Sequence, residues 1–202
     1  MQRITRFGAA FLSIACLRAQ EAPGEPASPL TVGQKFTFHL EQTMDPASLA
    51  AVGFGAGIDQ ALMIPRAWGG GMQGFGKRFG SAFAENAVEQ QLRFAVEAMD
   101  GEDPRLPRAH GTGFWHRATS AALTTFYRND GRGGHMIAWS EFVGAYGSAY
   151  ISHQWWPRPF NNFANGFVAG TDSVGMDVGM DVLREFMPDM KRALFRQKKP
   201  AP

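Results

Sequence analysis

The pentapeptide FGSAF occupies residues 79–83 and YGSAY occupies residues 146–150. Each is preceded, four residues upstream, by a further aromatic: Phe75 and Phe142. On an α-helix, residues four apart share a face. Phe75, Phe79 and Phe83 then form one stripe, with Gly76, Gly80 and Ala84 beside it. Phe142, Tyr146 and Tyr150 form a second, and Ser140, Gly144, Ser148 and Ser152 line another face of that helix. Gly175 and Gly179, within the tandem VGMDVGMD, repeat the spacing later in the chain. Small residues at every fourth position let helix backbones approach closely while large neighbours fill the flanks. The spacing predicts an all-α fold, a Gly-rich bundle of about four to five helices.

Outward from these stretches, Asp45-Pro46 reads as a helix start, with an N-cap followed by proline at the first helical position. That helix spans residues 46–64 and is apolar nearly all round, through Leu49, Val52, Phe54, Ile58 and Leu62. A second helix begins within WGGGMQGFG and runs to Met99, with its charges on one side. Further helices are expected over residues 114–127, 135–153 and 163–186, the last with a break at Gly170. KFTFHLEQT (residues 35–43) alternates Phe36, Phe38 and Leu40, the pattern of a short strand or an extended arm. The organisation expected is a signal peptide over 1–20, a linker and arm over 21–44, the bundle over 45–192 and a basic tail over 193–202.

The first twenty residues, MQRITRFGAAFLSIACLRAQ, carry Arg3 and Arg6 before an apolar run from Phe7 to Leu17, and polar, Pro-rich EAPGEPASP follows. This is the charged and apolar layout of a secretory signal. Cleavage is expected near Ala19 or Gln20. Ser13-Ile14-Ala15-Cys16 also resembles a lipoprotein box, which would place a lipid on Cys16. As the single cysteine of the chain, Cys16 allows no intramolecular disulfide. A net charge of +2 gives nucleic acid no support as a partner. The basic tail is either solvated or drawn to an anionic membrane surface.

Aspartate and glutamate inside the predicted helices argue against membrane-spanning segments, since each central acid costs roughly 2.5–3.5 kcal/mol on insertion. Trp155, Trp156, Arg158 and Phe160, in WWPRPF, suit anchors at a lipid–water interface. A loop folded onto the bundle accounts for them equally well. Asp177, Asp181 and Glu185, with Arg184 beside them, share a face. They read as a solvated face in preference to a cation or proton site.

Glu141 and Asp172 are the candidate buried acids. Glu141 lies on the small-residue face, where Arg78 or Arg117 is the expected partner if that face is covered. Asp172 either points into an apolar arc or caps the last helix together with Thr171 and Ser173. The histidines lack the spacing of a zinc helix, and no nucleophile elbow or phosphate-binding loop occurs. No metal or other cofactor is therefore expected.

PRAWGGG, KRFGSAF, DGEDPR, WWP and REFMPDMKR, within residues 65–192, resemble the recurring pattern of a family of exported bacterial proteins without an assigned activity, a resemblance that covers about residues 54–192. The resemblance implies bacterial export and transfers no catalytic residue. The sequence thus leads to a non-enzymatic exported protein of the cell envelope, periplasmic or peripheral to the outer membrane. It would associate with the membrane surface, another envelope protein or a second copy of itself. A binding module for lipid or an apolar small molecule is the alternative, and an enzyme using Glu141 or Asp172 as a buried acid is a third reading.

Overall fold

The computed structural model describes residues 28–105, 113–130, 134–158 and 160–194. The expected signal peptide, Cys16 and nearly all of the basic tail lie outside them. The described residues form a helical bundle. In chain order its elements are α1 (Val32–Met44), α2 (Pro46–Leu62), a 3-10 turn (Arg66–Trp68), α3 (Gly71–Asp100), α4 (Phe114–Thr124), β1 (Tyr127–Asn129), β2 (His135–Ile137), α5 (Trp139–Ser152) and α6 (Phe163–Leu194). The long α3 packs against α1, α2 and α5, while α6 packs against α5 and α4.

Local chemistry sets the ends of these elements. Asp45 caps α2 by accepting from the Ala47 and Ser48 amides, with Pro46 in the first turn. Residues expected to be an extended arm are instead α1. Thr31 and Gln34 form a reciprocal capping box at its start. Its buried stripe is Lys35, His39 and Thr43, a four-residue polar repeat that outweighs the alternation of phenylalanines. The helix expected over 135–153 also differs. Its first residues pair antiparallel with β1, in the register Tyr127↔Ile137, Arg128↔Met136 and Asn129↔His135, and the helix starts only at Trp139. The last helix runs unbroken through Gly170 and on past Pro188.

The repeated pentapeptide performs two different tasks. In α5 a Cβ on Gly147 would lie 2.6 Å from Leu92 Cδ1, and one on Gly144 would lie 2.6 Å from Arg93 Cγ, so α3 presses directly on this face. The Tyr150 and Tyr146 rings lie against Gly166 and Gly170 of α6, where added Cβ atoms would come within 2.5 and 2.4 Å. In α3, by contrast, Gly80 faces open space and Ser81 is the buried member.

The distribution of side chains is inverted. Among the described residues the buried apolar core consists of alanines: Ala56, Ala121, Ala138, Ala145 and Ala149. The buried polar and charged set includes Lys35, His39, Arg78, Glu97, Glu102, Arg128, Glu141 and Asp181. Large apolar side chains face outward on α1 (Val32, Phe36, Leu40), α2 (Phe54, Ile58, Leu62), α4 (Trp115, Leu123), α5 (Trp139, Val143, Ile151) and α6 (Phe163, Phe167, Met176). No helix among the described residues is long and apolar enough to cross a membrane.

Candidate functional site

Two features stand out from this framework: an ionic network in the interior and an aromatic, cationic end. The network starts on α3, where Glu85, Glu89, Arg93 and Glu97 recur every four residues and so share one face. Arg93 meets three carboxylates. It lies 2.5 Å from Glu89, 2.8 Å from Glu141 of α5 and 2.5 Å from Asp177 of α6. Burial alone would lower its pKa, but Glu141, Glu89 and Asp177 raise it well above the ordinary guanidinium value.

Arg128 reaches Glu141 from the other side. The strand alternation of β1 turns Arg128 inward and leaves Tyr127 exposed. Burial would raise the carboxyl of Glu141, but Arg93 and Arg128 together hold it below the ordinary glutamate range. Its partners are thus neither Arg78 nor Arg117. Arg78 serves the loop after α2, and Arg117 of α4 clamps Glu185 at 2.8 Å and Asp189 at 2.6 Å on α6, over the Phe186 ring.

Glu102, fully buried in the loop after α3, accepts from the Ser140 hydroxyl at 2.5 Å and the Ser140 amide at 3.2 Å. An anion at the amino end of α5 is favoured by the free amides and the helix dipole. Lys35 of α1 ties the same corner by donating to the Glu97 carbonyl at 2.6 Å and the Glu102 carbonyl at 2.5 Å. His39 bridges Gln90 and Glu97. Asp181 accepts from Thr125 at 2.9 Å.

Counting through Glu89, Glu102, Glu141, Asp177 and Asp181 against Arg93, Arg128 and Arg184 gives five carboxyls for three guanidiniums. Not all of these acids can be ionised together at low cost. Burial pushes Glu102 up to about 7. It does the same to Asp177, and there Glu89 and Glu141 add to the rise against the pull of Arg93. Asp181 is raised by burial as well. Chemically the network can store protons near neutrality. Ser140 has a carboxylate where a nucleophile would need an imidazole base. Among the described residues no cluster of three or more His, Cys, Asp or Glu side chains is placed to hold a metal ion.

The acids of α6 are a correction to the sequence reading. Asp177 and Asp181 face the bundle interior and Glu185 faces α4, so this is not a solvated face. Asp172 is exposed within continuous α6, where it neither caps the helix nor enters the apolar arc. The ion-pair partners missed in the sequence are Arg93, Arg128 and Glu102. The four-residue ladder on α3 was the available signal for the first. For Arg128 and Glu102, which sit on a strand and in a loop, no periodicity exists to find them.

At the other end of α5 lie Trp155, Trp156, Arg158 and Phe160. Both indole N–H groups donate to Ser81 Oγ, at 2.9 and 3.1 Å. Trp156 packs among Trp68, His153 and Phe160. Trp155 and Arg158 remain exposed. Two clefts open here. One of about 420 Å³ is lined by Trp68, Lys77, Gly80, Ser81, Ala84 and Trp155. The other, of about 450 Å³, lies between the loop after α2 and the loop after α5. Ser81, which lines the first cleft, and Arg93, where three carboxylates meet, are twelve residues or about 18 Å apart along α3. Protein-family models, curated proteins and solved structures gave no match to this chain.

Proposed function

We propose that this chain is a non-enzymatic protein of the cell envelope that works as a lipid-associated helical bundle. The observation that carries this reading is the inverted distribution of side chains. Exposed large apolar residues occur on α1, α2, α4, α5 and α6, while the ion pairs of Glu141 lie inside. In water this arrangement forfeits apolar burial and also bears the desolvation of charge. A protein partner covers one patch, whereas lipid covers apolar surface on many helices at once. Tryptophan near both ends of α5, at Trp139 and at Trp155–Trp156, suits the depth of lipid headgroups. Export is supported by the Arg-flanked apolar run at residues 3–17. Lipid contact here means a bundle lying in or against one leaflet.

The test is flotation of purified protein with phosphatidylcholine vesicles, together with its behaviour in detergent-free buffer. The expected outcome is co-flotation with vesicles and aggregation when lipid and detergent are both withdrawn. A monodisperse protein that ignores vesicles overturns the proposal. A monodisperse dimer that ignores them replaces lipid by a second copy of the chain.

A further inference from the structure

We propose that the cleft between the loop after α2 and the loop after α5 binds the phosphate headgroup of an anionic phospholipid. This rests on the lipid association proposed above and adds the location and the lipid class. The cleft has an apolar lining, with Leu62, Ile64, Pro65 and Phe160, and Arg66 and Arg158 are its charged members. Among the described residues neither arginine has a carboxylate partner within ion-pair distance, and no acid lines the cleft. Lys77 lines the adjoining cleft beside Trp68 and Trp155.

The sequence around this end is one-sided in charge. Residues 60–84 contain Arg66, Lys77 and Arg78 and no acid, and residues 142–171 contain Arg158 and no acid. In a chain whose net charge is only +2, this is a local cationic field. The acids bordering the first stretch are Asp59 and Glu85, and burial pushes Glu85 up to about 7, so near neutrality it carries only part of a charge.

The wall of the cleft is held in place by Arg78, which is 1% exposed. Its guanidinium donates to the carbonyls of Ile64 at 2.7 Å, Pro65 at 2.9 Å and Gly69 at 2.9 Å, and to Gln60 Oε1 at 2.6 Å. Met63 and Gly69 at positive φ turn the chain between these bonds. Arg78 thus spends its donors on the loop backbone and on Gln60, and Arg66 and Arg158 keep theirs for a ligand. Planar guanidinium forks match phosphate oxygens. The apolar lining accommodates the glycerol and upper acyl carbons, and the tryptophans sit at headgroup level.

The experiment measures binding of the full chain to vesicles of phosphatidylcholine alone and of phosphatidylcholine mixed with phosphatidylglycerol. The Arg66→Gln/Arg158→Gln variant is compared with a charge-matched control, Lys198→Gln/Lys199→Gln. Wild type should prefer the anionic vesicles by about tenfold or more. The cleft variant should lose that preference, keep its binding to neutral vesicles and melt like wild type, because both arginines are exposed. The control should retain the preference. Equal loss in the control assigns the effect to net charge and overturns the cleft. Wild-type binding to both vesicles without preference also overturns the cleft but leaves lipid association standing. Binding to neither overturns both. If the double variant does not fold, Arg158→Gln alone decides by the same readout.

Discussion

Glu141 and Glu102 flank one guanidinium, that of Arg128, and their carboxyls shift in opposite directions. Two arginines converge on Glu141, and they outweigh its desolvation. Glu102 has only Arg128 Nε at 3.8 Å, so burial prevails, and Ser140 supplies hydrogen bonds in place of charge. The contrast makes a test of whether the network is ionic in the folded protein. Glu141→Gln removes the charge between Arg93 and Arg128; Arg93 keeps Glu89 and Asp177, but Arg128 is left with Glu102 at 3.8 Å alone. A loss of about 3–5 kcal/mol is expected, the usual cost of breaking a buried pair on one side. Glu102→Gln replaces a carboxyl that is already half neutral near pH 7 and keeps an acceptor for Ser140. Its expected cost is about 1 kcal/mol. Urea unfolding midpoints at neutral pH measure both. Equal losses mean that Arg128 is neutralised by Glu102 as much as by Glu141.

At the scale of elements, the pentapeptide repeat predicted helices correctly but not which of its glycines lie at a contact. Gly147→Leu must push Leu92 aside and should cost about 1–3 kcal/mol. Gly80→Leu meets nothing and replaces a helix glycine, so it should be neutral or stabilising by about 0.5–1 kcal/mol. Thermal melts of the pair decide. Similar destabilisation at both positions would mean that the two copies of the repeat pack alike. Helices α2 and α3 were legible because proline, a capping aspartate and four-residue spacing all mark helix. The repeat also put α5 in the right place, apart from its first residues. The alternation of Phe36, Phe38 and Leu40 misled the reading of α1, and the assumption that charged stripes face water misled that of α6. In α1 the repeat Lys35, His39, Thr43 is the buried stripe. In α6 the repeat Asp177, Asp181, Glu185 faces α3, the Thr125 hydroxyl and α4. Periodicity identifies a face but not its solvent. The hairpin was illegible for another reason: strands of three residues are too short to show alternation, and pairing with β1 claims the first residues expected in α5.

For the whole molecule, the excess of buried carboxyls over guanidiniums fixes the direction in which stability responds to pH. Burial raises Glu85, Glu102 and Asp177 to about 7, and Asp59 and Asp181 also rise. In the unfolded chain these groups return to ordinary values of 4.5 for glutamate and 3.8 for aspartate. Between those values and about 7 the folded protein holds more protons than the unfolded chain. Stability therefore falls as pH rises through that window. Glu141 acts in the opposite sense. Its carboxyl is held below 4.5, so the stability that it contributes is lost only as pH falls beneath that value. The maximum consequently lies in mildly acidic solution, not at neutrality. One extra proton held over two pH units is worth about 3 kcal/mol. For a chain of 202 residues that corresponds to on the order of 5–10 °C in Tm. Thermal melts in detergent or lipid should therefore show Tm dropping by at least this amount between about pH 5 and about pH 7.5. Potentiometric unfolding should release protons across the same window. A Tm that is flat or rises with pH there would falsify the surplus of buried carboxyls, and with it the view that the interior of this bundle is where its charge resides.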